Sequence, residues 1–146
     1  RYLAIDFGLG DRDWDYSGLD IIGRCEDLPF ADESCDRVLS VVVLEHTPEP
    51  ARVIEEFRRV LKPGGSVHMV VPQMWEEHQR PFDYFRYTSA GIRYLLEKAG
   101  FRILEIRPVG GLRNLPPALA SGRPEHLPGP PQALRELLLE PIRERV

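Results

Sequence analysis

Glu45 and His46 stand at the end of the longest apolar run in the chain, Val38-Leu39-Ser40-Val41-Val42-Val43-Leu44. Histidine titrates near neutral pH and can take a proton from a nucleophile. A second polar group falls between Trp75 and Tyr87 and offers Trp75, His78, Asp83, Tyr84, Arg86 and Tyr87. Aromatic walls with a few convergent polar groups suit a small-molecule pocket. The guanidinium of Arg86 could hold a carboxylate or phosphate by its fork of donors. Plainer roles exist for the same residues. His46 could cap the following helix or order the Thr47-Pro48 turn, and Asp83 could pair with Arg86 merely to pin the loop. His46 and His78 alone do not make a metal-ligand pattern, and no metal is expected.

The elements that must position these residues are legible from periodicity. A nearly continuous apolar run, here Asp36 to Val43, is typical of a strand covered on both faces of a parallel sheet. In such sheets ligands bind just beyond the carboxyl ends of the strands, where Glu45 and His46 lie. Tyr2–Ile5 reads as a short strand ending in Asp6, and Leu19–Gly23 as another. Pro48 and Pro50 mark the start of a helix, since proline is tolerated in a first turn. Val53, Ile54, Phe57, Val60 and Leu61 fall on one face of that helix, and Glu55 with Arg59 makes an i,i+4 pair. Lys62-Pro63-Gly64-Gly65 predicts a sharp stop before a strand over Val67–Val71. Thr88 is a cap for a helix carrying Ile92, Leu95, Leu96 and Ala99, ended by Gly100. Phe101–Val109 reads as a further strand. Strands alternating with helices predict an α/β fold with a mainly parallel sheet.

The 146 residues fit one domain with a real core. A net charge of −4 gives no general attraction to nucleic acid or an anionic membrane. Two cysteines, Cys25 and Cys35, suggest a reducing compartment, hence the cytoplasm, rather than a disulfide framework. No apolar run approaches the roughly 20 residues of a membrane-spanning helix. Eight of the fourteen prolines lie from Pro108 onward, which divides the chain into a domain over 1–109 and a proline-rich extension over 110–146. That extension is expected to hold one short helix, Ala133–Leu139.

Leu28-Pro29-Phe30, Asp32-Glu33-Ser34-Cys35-Asp36, Val43-Leu44-Glu45-His46 and Arg59-Val60-Leu61-Lys62-Pro63-Gly64-Gly65 resemble, in order and spacing, the class I S-adenosylmethionine-dependent methyltransferases of the type 11 set. Gln79-Arg80-Pro81-Phe82-Asp83-Tyr84-Phe85-Arg86-Tyr87-Thr88 and Ala99-Gly100-Phe101 resemble a subgroup of that set. The resemblance covers Tyr2 to Phe101. It implies a Rossmann-like three-layer sandwich in which the strand ending at Val43 is the fourth, Val67–Val71 the fifth and Phe101–Val109 the sixth; a seventh is not evident. It also implies methyl transfer from S-adenosylmethionine to a small or medium-sized acceptor.

Residue by residue, the resemblance places Asp6, Arg24, Cys25, Glu26, Ser40, Val41 and Glu45 beside the cofactor. It places Trp75, Tyr84, Arg86 and Tyr87 on the substrate side, and leaves His46 or His78 as base if the acceptor needs one. The family's glycine-rich turn can be placed in two ways. Asp6-Phe7-Gly8-Leu9-Gly10 is that turn, with Asp20 on the ribose; or Tyr2–Ile5 is the second strand, Asp6 is the ribose acid, and the first strand and its turn lie upstream of Arg1. The stretch Asp11–Gly18 is short and polar for a crossover helix, which needs about a dozen residues or more, so the second placement is preferred. Arg24 departs from relatives that carry an acid beside adenine, because arginine has donors only. A small-molecule substrate is expected, with no nucleic-acid partner and no membrane span, and a homodimer is left open. The runner-up function is a non-catalytic methyltransferase-like binding or assembly domain. A dinucleotide or nucleotide-sugar enzyme is weaker, since no G-x-G-x-x-G follows a strand and opens a helix.

Overall fold

A computed structural model describes residues 2–9 and 16–108. The proline-rich extension and its expected helix lie outside the described residues. The chain divides into a unit over Arg1–Ile106 and a second over Arg107–Val146. Every helix and strand among the described residues belongs to the first unit.

The elements in chain order are β1 (Ile5–Asp6), β2 (Ile21–Ile22), β3 (Cys35–Val41), a short 3₁₀ turn (Leu44–His46), α1 (Pro50–Val60), β4 (Leu61–Val70) and α2 (Ser89–Lys98). β1 pairs parallel with β2, Ile5 opposite Ile21, and β3 pairs parallel with β4, Val38 opposite Val67. Among the described residues these are two separate two-stranded ladders. The mainly parallel α/β architecture expected from the sequence is therefore present in its β and α parts.

α1 forms for the reasons its sequence states. Pro50 occupies the first turn, and Arg58 and Arg59 sit in the last, where cations favour the helix dipole. Val53, Ile54, Phe57 and Val60 are between 0% and 3% exposed. Burial of side chains of this size contributes about 1.5–3 kcal/mol each. They pack with Leu28, Leu44, Tyr87, Ile92 and Leu96 into one core. α2 is fixed at both ends. The Thr88 hydroxyl accepts the Gly91 N–H at 3.0 Å. At the other end Gly100 adopts φ +85°, its N–H reaching Glu97 O and the Phe101 N–H reaching Leu96 O, both at 3.0 Å. This is the Schellman closure that glycine permits.

Several expectations change. Lys62–Gly65 is not a turn before a strand, because β4 starts directly at Leu61 and absorbs those residues as a bulge. Cys35 pairs with Leu61, but Arg37 already pairs with Ser66. Gly65 is needed there, since a Cβ would lie 2.9 Å from Lys62 O and 3.0 Å from Asp36 O. β3 ends at Val41 rather than Val43, because Val42 takes φ +48°, a region costly for a β-branched residue. Its N–H still donates to Val70 O at 2.9 Å. β3 is not covered on both faces among the described residues, for Leu39 is 52% exposed. Phe101 to Pro108 forms no ladder; Phe101 and Ile103 pack on the core from an extended segment.

Arg59 does not pair with Glu55. Its Nε donates to Glu56 Oε1, its Nη1 to Phe30 O and Asp32 Oδ1, and its Nη2 to Leu28 O and Glu56 Oε2, all within 2.9 Å. Glu56 Oε2 also accepts the Leu28 N–H at 2.8 Å. This knot ties the loop that leads into β3 onto α1.

Candidate active site

Two polar groups gather in this unit. The first lies around the ends of β1 and β2. Asp6 Oδ1 accepts the Gly8 N–H at 2.8 Å, a tight turn in which Gly8 has φ +71° and a Cβ would meet Ile22 at 3.3 Å. Cys25 is half-buried, and its thiol is pushed up to about 11, by burial first and then by the negative charges of Glu26 and Asp6. That shared influence brings the three expected residues Asp6, Cys25 and Glu26 into one acidic neighbourhood. Arg24 is turned to Glu26, Nη2 to Oε1 at 3.3 Å, with the arginine 67% and the acid 10% exposed. Asp20, the acid of the alternative placement, accepts the Ala4 N–H at 2.8 Å.

The second group lies beyond the carboxyl end of β3. The positive φ of Val42 ends the strand, and the turn Leu44–His46 then carries Glu45 and His46 inward. The Glu45 side chain is 1% exposed and that of His46 7%. Burial pushes the Glu45 carboxyl up to about 6. Burial, opposed by the hydrogen bond to Phe82, holds His46 below the usual histidine value. His46 Nδ1 donates to Phe82 O at 2.8 Å, which leaves Nε2 as the acceptor nitrogen. That nitrogen faces Glu45 Oε1 at 3.8 Å, beyond hydrogen-bond reach. His46 Nε2 and both Glu45 carboxylate oxygens have no hydrogen-bond partner, and neither has the buried hydroxyl of Ser40. Ser40 is 3% exposed near the end of β3, beside half-buried Val41.

The loop after β4 closes on this corner. The His78 ring stands edge-on to His46, centroids 4.8 Å apart. His78 Nδ1 lies 2.9 Å from Glu76 O and 3.2 Å from Asp83 Oδ2. Asp83, 1% exposed, is gripped by both Nη atoms of Arg86 at 2.6 and 2.8 Å and by the His78 N–H at 2.8 Å. The guanidinium holds its carboxyl far below the usual carboxylate range. Backbone N–H groups of Tyr84 and Phe85 donate to Glu45 O at 2.8 and 3.3 Å. Phe7 meets Phe82 edge-on at 5.5 Å, joining the two polar groups.

The structure thus brings Glu45, His46 and His78 together, and Asp6, Cys25 and Glu26 together. It places the substrate-side residues differently from one another. Trp75 and Tyr84 are 43% and 45% exposed on the rim. The Arg86 fork, expected to face an anion, is occupied by Asp83, and its remaining donors reach Trp75 O, Glu76 O and Phe85 O. Tyr87 is 7% exposed in the core, and its hydroxyl donates to Leu44 O at 3.0 Å. What sequence reading missed is that Asp83 orients His78 as well as pairing with Arg86, and that Phe82 fixes the His46 ring through a carbonyl. Only the Asp83–Arg86 spacing gave any signal. A polar hollow of about 320 Å³ lies at the other end of the β3–β4 ladder, lined by Asp36, Arg37 and Lys62–Ser66, away from both groups.

Parallel ladders with polar groups at their carboxyl ends, flanked by amphipathic helices, define a Rossmann-like α/β domain. Residues 12–69 match the family model of a methyltransferase domain. In its sequence and its fold the chain is similar to class I S-adenosylmethionine-dependent methyltransferases of the type 11 set. It is 40% identical over 76 residues to demethylmenaquinone methyltransferase of Bacillus velezensis, covering 49% of this chain and 33% of that protein. It is 31% identical over 107 residues to 2-methyl-6-phytyl-1,4-hydroquinone methyltransferase 1 of Oryza sativa, covering 64% and 30%. Among solved structures it resembles a chain of the complex between the Haloferax volcanii Trm112 methyltransferase activator and a methyltransferase, at TM-score 0.51 and 31% identity, covering 58% of this chain and 41% of that one. A methyltransferase of Bacillus halodurans gives TM-score 0.51 and 26% identity, covering 57% and 45%. The chain spans between 30% and 45% of the length of these and the other first curated relatives. Among the described residues no helix is long and apolar enough to cross a membrane.

Proposed function

We propose that this domain takes part in methyl transfer from S-adenosylmethionine to a small or medium-sized acceptor. The observation that carries this reading is the pair of polar groups at the strand ends of a chain that matches a methyltransferase-domain model. The donor chemistry fits the cofactor. Asp6 keeps a second carboxylate oxygen for ribose hydroxyls, Cys25 and Glu26 lie in the same acidic neighbourhood, and the buried Ser40 hydroxyl beside Val41 is without a partner. When bound, S-adenosylmethionine supplies an electrophilic methyl on a sulfonium, so the hard chemistry is the cofactor's. The protein's task is to hold the acceptor in line and exclude water.

Within that task His46 is the candidate base, with His78 as its neighbour. Its Nε2 is free to accept a proton because Nδ1–H is committed to Phe82. Burial of His46 keeps the ring neutral, the form a base requires. Trp75 and Tyr84 offer exposed aromatic surface at the rim, suited to a flat ring such as those named for the quinone and hydroquinone methyltransferases among its relatives. Arg24 and Glu45, expected beside the cofactor, are turned toward Glu26 and toward the two histidines. The two cysteines are unpaired, which fits a reducing compartment such as the cytoplasm.

The second reading, a binding domain without catalysis, is favoured by the pairing of Arg24 with Glu26 and by the occupied fork of Arg86. Calorimetric titration with S-adenosylhomocysteine separates the two. Saturable binding, by this chain or by the same domain within its full coding sequence, supports methyl transfer. No heat from either overturns it.

A further inference from the structure

We propose that Glu45, His46 and His78 form a binding site for one divalent transition-metal ion, with zinc as the reference ion. One ligand atom from each lies within 4.8 Å of the other two. The case rests on unmet need as much as on proximity. Both oxygens of Glu45 and the Nε2 of His46 are buried and have no hydrogen-bond partner. At 3.8 Å they do not satisfy each other. A buried carboxylate facing the lone pair of a neutral buried imidazole is two acceptors without a donor, and a cation between them satisfies both. A metal ion answers both at once.

The donor set is specific. Two imidazoles and one carboxylate are a ligand set of zinc sites that keep an open position, and imidazole suits first-row divalent metals generally. Metal-bound histidines characteristically give their other ring N–H to a carbonyl or carboxylate. Both rings here already do so: His46 Nδ1 bonds Phe82 O at 2.8 Å, and His78 Nδ1 lies 2.9 Å from Glu76 O and 3.2 Å from Asp83 Oδ2. Asp83 is in turn held by Arg86, so its own charge is compensated and it serves to orient the ring. Ligand separations around tetrahedral zinc are about 3.4 Å for bonds of 2.0–2.2 Å, so closure asks each side chain to draw in by roughly an ångström.

Three protein ligands would leave a fourth position for water or an acceptor oxygen, whose pKa the ion would lower; with the ion bound, His46 Nε2 is a ligand and that lowered pKa stands in for its role as base. That last role rests on the methyl-transfer reading; binding of the ion does not. The test is equilibrium dialysis of the 146-residue chain against zinc, with bound metal measured by elemental analysis, repeated with cobalt(II) to read visible absorption. One equivalent of zinc is expected, weakened about tenfold or more in His46→Ala and in His78→Ala, and unchanged in His68→Ala, whose ring is exposed on β4. The His78 side chain is 30% exposed, so its variant keeps the test alive if His46→Ala does not fold, as checked by circular dichroism. No retained zinc, or equal retention by the His46→Ala/His78→Ala double variant, overturns the proposal. If S-adenosylhomocysteine still binds in that case, the methyl-transfer reading stands without the metal. Zinc bound at these three residues without S-adenosylhomocysteine binding removes the acceptor role alone.

Discussion

The two ends of β3 treat buried polarity in opposite ways. Before the strand begins, Arg59 has every donor direction engaged, by Glu56, by Asp32 and by the carbonyls of Leu28 and Phe30. After the strand ends, Glu45 is fully buried and its carboxylate has no hydrogen-bond partner at all. Both places use a charged side chain close to the same core. The first is closed on itself and builds the frame. The second leaves Glu45 and His46 facing one another across 3.8 Å without a hydrogen bond, a gap that a bound cation would fill. Within that second corner the Asp83–Arg86 pair is saturated in the manner of Arg59, so among the described residues the unmet need falls on Glu45, His46 and the nearby Ser40 hydroxyl.

The contrast can be broken first at Asp83. Asp83→Ala takes the carboxylate from the Arg86 guanidinium, leaving it the carbonyls of Trp75, Glu76 and Phe85, and should destabilise the domain by about 3 kcal/mol, read from urea unfolding. Arg59→Ala should cost less, because Arg59 is 31% exposed and water replaces some of its partners. Its signature is local: amide exchange at Leu28 and Phe30 should accelerate before global unfolding. Glu45→Met should have the opposite sign. The Glu45 carboxyl is raised from 4.5 to about 6 by burial, so the folded state favours the protonated acid. That contribution is complete below the ordinary value and is lost as pH rises through about 6. At pH 8 the metal-free variant should therefore be more stable than the parent, by up to ~2 kcal/mol. A loss of stability there would mean that Glu45 has a protein partner after all. The smallest effect is Tyr87→Phe, about 1 kcal/mol, since Leu44 O keeps the Thr47 hydroxyl at 2.8 Å. Unchanged stability with altered binding would return Tyr87 to the substrate side.

Legibility followed the reach of each interaction. α1 and α2 were readable because their apolar spacing and caps lie within a few residues, as with Val53, Ile54, Phe57 and Val60, or Thr88 and Gly100. The start of β4 was not, because Pro63-Gly64-Gly65 carries the local chemistry of a turn. Only the parallel pairing with Cys35 and Arg37 makes it a bulge. Phe101–Ile103 shows strand-like alternation of burial without a ladder, since a strand needs a neighbour that sequence pattern does not supply. At the site, Glu45 and His46 were visible as a polar end to an apolar run. Their burial was not, because it depends on the left-handed turn at Val42 and on the Phe82–Phe85 backbone folding over them. Tyr87 looked like a pocket wall for the same reason; its partner, Leu44 O, is distant in sequence.

The most direct measurement is the ¹H–¹⁵N amide spectrum of the chain on addition of S-adenosylhomocysteine. Shifts should concentrate at Asp6–Gly8, Arg24–Asp27 and Ser40–Val42, while Asp32 and Glu56–Arg59 in the closed knot stay still. Shifts confined to Asp36, Arg37 and Lys62–Ser66, or a spectrum unchanged at saturating ligand both in this chain and in the same domain within its full coding sequence, would contradict the assignment of the cofactor to the carboxyl ends of the strands.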